Sequence, residues 1–261
     1  MRFSIVTATK NAEDSIGATI ESVLKQKNND CEYIFIDSVS TDRTNEIIDG
    51  YSDSFSNKGI PVTHIVEKDT GISDGFNKGI RASSGEIIAI LNAGDIMRED
   101  TLNIVDREFG DNVDVLYGNV IWVDKKHGIS YERKSKDVSK LDGLKYTMIV
   151  CHPAAYVRRE AYTKYGLFDG TFRYTMDNDL MLRMYTGGAR FKYIDRALTD
   201  FYAGGTSDSD VNAVMEENRR IALRAGEPPV KASIMIFLKK CRHHAAHFAR
   251  FNPIGRLIWK A

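Results

Sequence analysis

The first half of the chain alternates short apolar runs with longer stretches in which apolar residues return every three or four positions. Runs at Phe3 to Thr7, Tyr33 to Ile36, Val62 to Val66 and Ile87 to Leu91 have the length and content of buried strands. Between the first two, Ile16, Ile20, Val23 and Leu24 repeat at helical spacing, and Ile47, Tyr51 and Phe55 do so after the second. This alternation predicts crossover helices on a mainly parallel sheet. Val113 to Val123, followed by Gly128 to Arg133, predicts longer strands and a hairpin, so the fold changes character near the middle. Leu180, Met181 and Met184 mark one stripe of a helix that starts near Asp177 and stops at Gly187-Gly188. Another helix is predicted from about Asp210 to Ala225, with Val211, Val214, Met215, Asn218, Ile221, Ala222 and Ala225 on one face, ended by Gly226 and Pro228-Pro229. The chain thus divides into one domain over residues 1–226 and a tail over 227–261.

Composition narrows the function. With 261 residues, 43% of them hydrophobic, the chain can bury one large α/β core. Thirty-six basic residues balance thirty-six acidic ones, which gives no field to gather nucleic acid, so no nucleic-acid partner is expected. Cys31, Cys151 and Cys241 are far apart and form no Cys-x-x-Cys pair, which fits a reduced, cytoplasmic setting. The N-terminus opens directly on a strand-like run without a secretory signal, and no apolar run reaches the roughly 18 residues of a membrane span. Phosphate-binding Gly-x-x-x-x-Gly-Lys and His-Glu-x-x-His motifs are absent, and Gly71-Ile72-Ser73-Asp74-Gly75 is no nucleophile elbow, because no apolar strand leads directly into it.

In such sheets ligands bind beyond the carboxyl ends of the strands, which selects Thr7 to Asn11, Asp37 to Asp42, Asp69 to Asp74 and Asn92 to Asp95. Asp37 ends a strand where a carboxylate can accept hydrogen bonds from a nucleobase, while Thr41 or Asp42 caps the following helix. Asp95 ends the turn after a buried strand and can hold a hard divalent cation against a diphosphate, although Asn, Gly and Asp also suit a turn for conformational reasons. Asp177 lies on the inward stripe of its helix. Asp179 stands four residues before Arg183, which predicts an exposed ion pair. His152, between Cys151 and Pro153, reads on residues alone as a partly buried histidine, and Gly204 to Ser207 as a flexible loop.

Taken in order, Ser4-Ile5-Val6-Thr7-Ala8-Thr9-Lys10-Asn11, the Asp37 to Thr44 turn, Asp69 to Ile80, Leu91 to Asp95, His152 to Arg159 and Asp177 to Arg183 resemble the successive signatures of family-two glycosyltransferases of the GT-A fold, over about residues 1–205. The resemblance implies a GT-A-like α/β fold, a mixed, mainly parallel sheet with flanking helices and a C-terminal helical appendage. It implies an inverting transfer from a nucleotide-sugar donor, a UDP-sugar, to a sugar or lipid-linked acceptor in surface polysaccharide or glycolipid assembly. Thr7, Thr9, Asp37 and Asp69 would line the nucleoside pocket and Asn77 would support the donor site. Asn92, Ala93, Gly94 and Asp95 would meet the donor's diphosphate, with Asp95 as the ligand of Mg or Mn. Asp177 would be the general base and His152 would stand on the acceptor side. Asn92 and Gly94 occupy positions where the family often carries acids, which implies a weaker, water-rich metal site. A nucleotidyltransferase and a catalytically silent sugar-nucleotide-binding module are the competing classes.

The tail from Lys231 to Ala261 carries seven basic residues, three histidines and no acid. Ile234, Ile236, Phe237, Leu238, Phe248, Phe251, Ile254, Leu257, Ile258 and Trp259 supply apolar surface between the charges. Two placements are expected of such a segment: peripheral contact with the inner face of an anionic membrane, or packing on the domain or on a second subunit of a homo-oligomer.

Overall fold

The computed structural model describes residues 1–204 and 210–251, with backbone alone at 243, 244 and 246–251. Its first half runs β1 (Phe3–Thr9), α1 (Ile16–Leu24), β2 (Cys31–Asp37), α2 (Thr44–Gly50), α3 (Ser52–Lys58), β3 (Val62–Val66), α4 (Ile72–Ala82) and β4 (Ile87–Ile90). There follow β5 (Ile96–Met97), α5 (Thr101–Glu108), the hairpin of β6 (Val115–Asp124) and β7 (Ile129–Arg133), and 3-10 turns at Val138–Lys145 and His152–Ala154. The chain continues through β8 (Ala155–Arg158), α6 (Arg159–Tyr165), α7 (Met176–Thr186), β9 (Phe191–Tyr202), α8 (Val211–Arg224) and α9 (Pro229–Phe251). Every strand predicted in the first half is present, as are the hairpin and the helices at Asp177 and Val211. Pro228-Pro229 ends one helix, but Pro229 also opens the next, where the missing N–H costs no bond.

The sheet is mixed, in the order β3-β2-β1-β4-β8-β6-β9-β5, with β7 paired to β6. β1 to β4 run parallel to their neighbours, and β8 enters antiparallel between β4 and β6. Alternation along the strands divides the core. Phe3, Ile5, Tyr33, Phe35, Ile87 and Ala89 pack towards α1, α3 and α5, whereas Val6, Ile34, Ile36, Ile88 and Ile90 pack towards α4, α6 and α7. α4 approaches β1 so closely that a Cβ at Gly79 would fall 2.2 Å from Val6 Cγ1. Its glycines lower the apolar signal, which is why periodicity alone leaves this segment unassigned. α9 lays Ala232 and Ile236 against Ala222 and Tyr146. No helix among the described residues is long and apolar enough to cross a membrane.

Candidate active site

Strand register gathers most of the candidates at one edge of the sheet. Thr9 at the end of β1 stands opposite Asp37 at the end of β2, and β4 ends beside them on the other side of β1. Because β8 runs antiparallel to β4, with Ala89 opposite Tyr156, the residues leading into β8 lie along the carboxyl end of β4. That reversal carries His152 to the edge where Asp95 sits.

The first two loops are tied to each other. Asp37 is fully buried, and its oxygens accept bonds from Thr9 Oγ1 at 2.9 Å, the Ser40 N–H at 2.7 Å, Ser40 Oγ and Asn45 Nδ2 at 3.1 Å. Burial alone would raise its pKa, but these four donors outweigh it and hold the carboxyl below the usual range. A nucleobase would reach Asp37 only by replacing one of them, so its visible work is to shape the loop. Asn11 and Val39 both adopt left-handed backbone, at φ 49° and 53°. For a β-branched residue this is strained, and such strain concentrates where a loop is held for a purpose. Val39 is 51% exposed on that loop.

Thr7 does not line a pocket: it is fully buried, with its hydroxyl donated to Leu91 O at 2.6 Å and beside Tyr33 Oη at 3.0 Å. Asp69 is half-buried and accepts from the Gly71 N–H at 3.0 Å ahead of α4. Asn77 donates to the carbonyl of Phe168 and accepts from its N–H, both at 2.9 Å, so it braces the segment before α7.

Asp95 is 4% exposed and accepts two long bonds, 3.2 Å each, from the Tyr202 N–H and Asn92 Nδ2. Burial wins over these donors and pushes its carboxyl up to about 7. The turn is held by the Gly94 N–H on Thr19 Oγ1 at 2.8 Å, with Gly94 at φ 104°. Ala93 packs on the α1 side of the core. No group of three His, Cys, Asp or Glu side chains able to hold a metal occurs among the described residues. A poorly compensated carboxylate beside an amide fits a divalent cation that takes its remaining oxygens from a diphosphate and water.

Asp177 stands in the first turn of α7, surrounded by protein yet partly exposed to solvent. Its Oδ1 accepts from the Asn178 N–H at 2.8 Å, and no protein donor reaches Oδ2 among the described residues. Burial raises its pKa, against the electrostatic influence of the neighbouring His152 and Arg133. His152 is buried between Phe168 and Phe76, with ring centroids at 5.8 and 6.4 Å, and burial lowers its pKa against the pull of Asp177. Arg133, exposed at the end of β7, is a cation near Asp177 that the one-dimensional pattern does not reveal.

Asp179 departs from expectation. Its ion pair with Arg183 Nε exists at 2.8 Å, but Asp179 is 5% exposed rather than open to water. α8 and the turn after α6 cover that face, where Arg183 also donates to the carbonyls of Tyr165 and Leu167 at 2.6 Å. Glu217 of α8 is a second residue missed by the sequence. Its carboxylate accepts from the N–H groups of Arg173, Tyr174 and Thr175 at 2.8 to 2.9 Å, which fixes the entry to α7 one turn before Asp177. Gly204 is described, while 205–207 of the expected loop lie outside the described residues. A surface recess of about 470 Å³ beside Glu21, Lys25, Arg98 and Asp200 contains none of these groups.

The family model for glycosyl transferase family 2 matches residues 4–166. A PGL/p-HBAD biosynthesis glycosyltransferase of Mycobacterium tuberculosis is 26% identical over 234 residues, 86% of each chain. The putative teichuronic acid biosynthesis glycosyltransferase TuaG of Bacillus subtilis is 32% identical over 99 residues, 38% of each chain. Among solved structures, S. aureus TarS in complex with UDP-GlcNAc superposes with a TM-score of 0.67 at 19% identity, covering 97% of this chain and 76% of that one. The mannosyltransferase PcManGT of Pyrobaculum calidifontis, in complex with GDP-Man and Mn2+, gives 0.64 at 16% identity, covering 99% and 78%. At these identities the structural likeness establishes the GT-A fold.

Proposed function

The chain belongs to glycosyl transferase family 2, and on that ground we propose that it transfers a sugar, with inversion, from a UDP-sugar to an acceptor hydroxyl. The observation that carries the reading is the Asp177 carboxylate, partly exposed and with one oxygen free of protein donors among the described residues. Asp177 takes the acceptor's proton while the acceptor oxygen attacks the anomeric carbon. The bond to the diphosphate breaks on the opposite face, and the configuration inverts. General-base assistance of this kind contributes about 10² to 10⁴ in rate.

The loops at Thr9 to Asn11, Asp37 to Ser40 and Asp69 are assigned to the nucleoside. Val39 offers an exposed apolar contact there, and Asp37 holds the loop in shape. Asp95, with the Asn92 amide oxygen, would hold Mg or Mn, which when bound would offset the charge gathering on the departing diphosphate. Mn2+ in the PcManGT complex supports that assignment. His152, walled by Phe76 and Phe168, borders the acceptor. The M. tuberculosis and B. subtilis relatives, named for PGL/p-HBAD and teichuronic acid biosynthesis, support a sugar or glycolipid acceptor in envelope assembly.

Incubation with single sugar nucleotides and candidate acceptors, with detection of the released nucleotide, tests the reading. Nucleoside diphosphate released with wild-type protein, and lost in Asp177→Asn, supports it. Pyrophosphate release indicates nucleotidyl transfer, and binding without turnover indicates a silent module. Either would overturn it.

A further inference from the structure

α9 is covered on one face only. Ala232 and Ile236 are buried against Ala222 and Tyr146, whereas Val230, Ile234, Phe237 and Leu238 stand 50 to 73% exposed. At 3.6 residues per turn, Val230, Ile234, Phe237 and the exposed Cys241 fall on one stripe, with Leu238 at its edge. Of the other large apolar side chains exposed among the described residues, Met1, Val39 and Ile72 stand apart, and Val62 and Val66 lie at the two ends of the edge strand β3, with no cation-flanked stripe between them. Single exposed apolar residues are ordinary, but a continuous stripe marks a contact surface.

The charges beside the stripe identify the partner. Lys240 flanks it on one side and Arg242 on the other, whereas half-buried Lys239 falls on the opposite, covered side with Ala232. Lys240 and Arg242 have no carboxylate partner among the described residues, unlike Lys231, which pairs with Glu227 at 2.7 Å. Two unpaired cations bordering an apolar stripe suit an external anionic surface. An apolar stripe bordered by long basic side chains suits the lipid interface, where the stems lie over acyl chains and the charged ends meet phosphates. A folded protein partner would have to place several acids around one narrow apolar ridge. An anionic bilayer offers that pattern everywhere.

We infer that α9 docks in the interface of an anionic membrane, with Val230, Ile234, Phe237 and Leu238 towards the acyl chains and Lys240 and Arg242 on lipid phosphates. α9 packs on α8, and α8 holds the entry to α7 through Glu217. The acceptor side is thereby linked to the lipid surface, a consequence that rests on the transferase reading, whereas the docking itself does not.

The test uses the full chain and vesicles of phosphatidylcholine alone or mixed with phosphatidylglycerol. Co-sedimentation is measured at low and high salt for wild type, Ile234→Gln/Phe237→Gln and Lys240→Gln/Arg242→Gln, with melting temperatures as a check on folding. Wild type is expected to bind the anionic vesicles alone and to be weakened by salt. Each cation near the surface contributes about fivefold in affinity, so the double charge variant should lose roughly 30-fold. The apolar variant should lose binding at both salt concentrations. No sedimentation of the whole chain, equal affinity for neutral vesicles, or unchanged affinity in both variants would overturn the inference. So would a dimer that the apolar variant dissolves while no vesicle binding is seen. Vesicle binding by a chain that releases no nucleoside diphosphate removes the transferase reading and leaves the docking intact.

Discussion

Replacing Asp95 by Asn should stabilise the protein while disabling it. The native carboxyl is held at about 7 by burial, against 3.8 for an ordinary aspartate. Between those values the native state keeps a proton that the unfolded chain has lost, so this residue makes stability fall as pH rises through the window. A displacement of about three units, at ~1.4 kcal/mol each, sets a ceiling of ~4 kcal/mol above neutrality. Asn keeps the bond from the Tyr202 N–H, and Asn92 can turn its amide to offer its oxygen to the new Nδ2. The assay is urea unfolding of both proteins at pH 5 and pH 8, where the titrations common to both cancel. The stability advantage of the variant should grow by ~2.5 kcal/mol between the two pH values. Addition of Mn2+ with a sugar nucleotide should then stabilise wild type and not the variant, and metal-stimulated turnover should vanish. An advantage that is flat with pH, or a variant less stable at both, would refute the account of Asp95 as a buried charge lacking a counter-ion.

Asp177→Asn should cut turnover by about 10² to 10⁴ and leave nucleotide affinity unchanged by calorimetry, because the amide keeps the shape but takes no proton. Since burial raises the Asp177 pKa, the acid limb of the wild-type kcat profile should lie at higher pH than for a free carboxylate, with activity present above it and lost as pH falls. Asp179→Asn should leave the kcat of the folded enzyme nearly unaltered but lower its stability by ~2 kcal/mol in thermal unfolding, because Arg183 loses its partly buried counter-charge. Glu217→Gln turns one acceptor into a donor facing the N–H groups of residues 173–175. It should cost ~1 to 3 kcal/mol of stability and reduce kcat, with nucleotide binding unchanged in the same calorimetric assay.

What could be read without coordinates followed from local rules. Strand alternation, helical stripes and glycine or proline stops depend on near neighbours in the chain, so β1 to β4, the β6–β7 hairpin, α7 and α8 were all legible. That the ends of β1, β2 and β4 meet at one edge was legible for the same reason, since parallel strands place their carboxyl ends together. α4 was not, because the glycines that let it touch Val6 weaken its apolar period.

The chemistry of single residues was decided by contacts between distant segments. Thr7 and Asn77 belong to the right segments but point into Leu91 and Phe168, partners 84 and 91 positions away. Asp179 was placed correctly on its helix, yet which face meets water depended on α8 arriving from 40 residues later. Glu217 carries no local sign of its work, because a carboxylate on a helix reads as surface until three backbone N–H groups are found in front of it. The sequence by itself determined the βα alternation of the first half, the β6–β7 hairpin, α7 and α8, and the loops that carry the candidate acids. Only the tertiary structure decided which of those acids are satisfied, as Asp37 is, and which are left with acceptor capacity, as Asp95 and Asp177 are. Hydrogen-bond saturation and desolvation arise from groups that the fold, and not the chain order, makes neighbours.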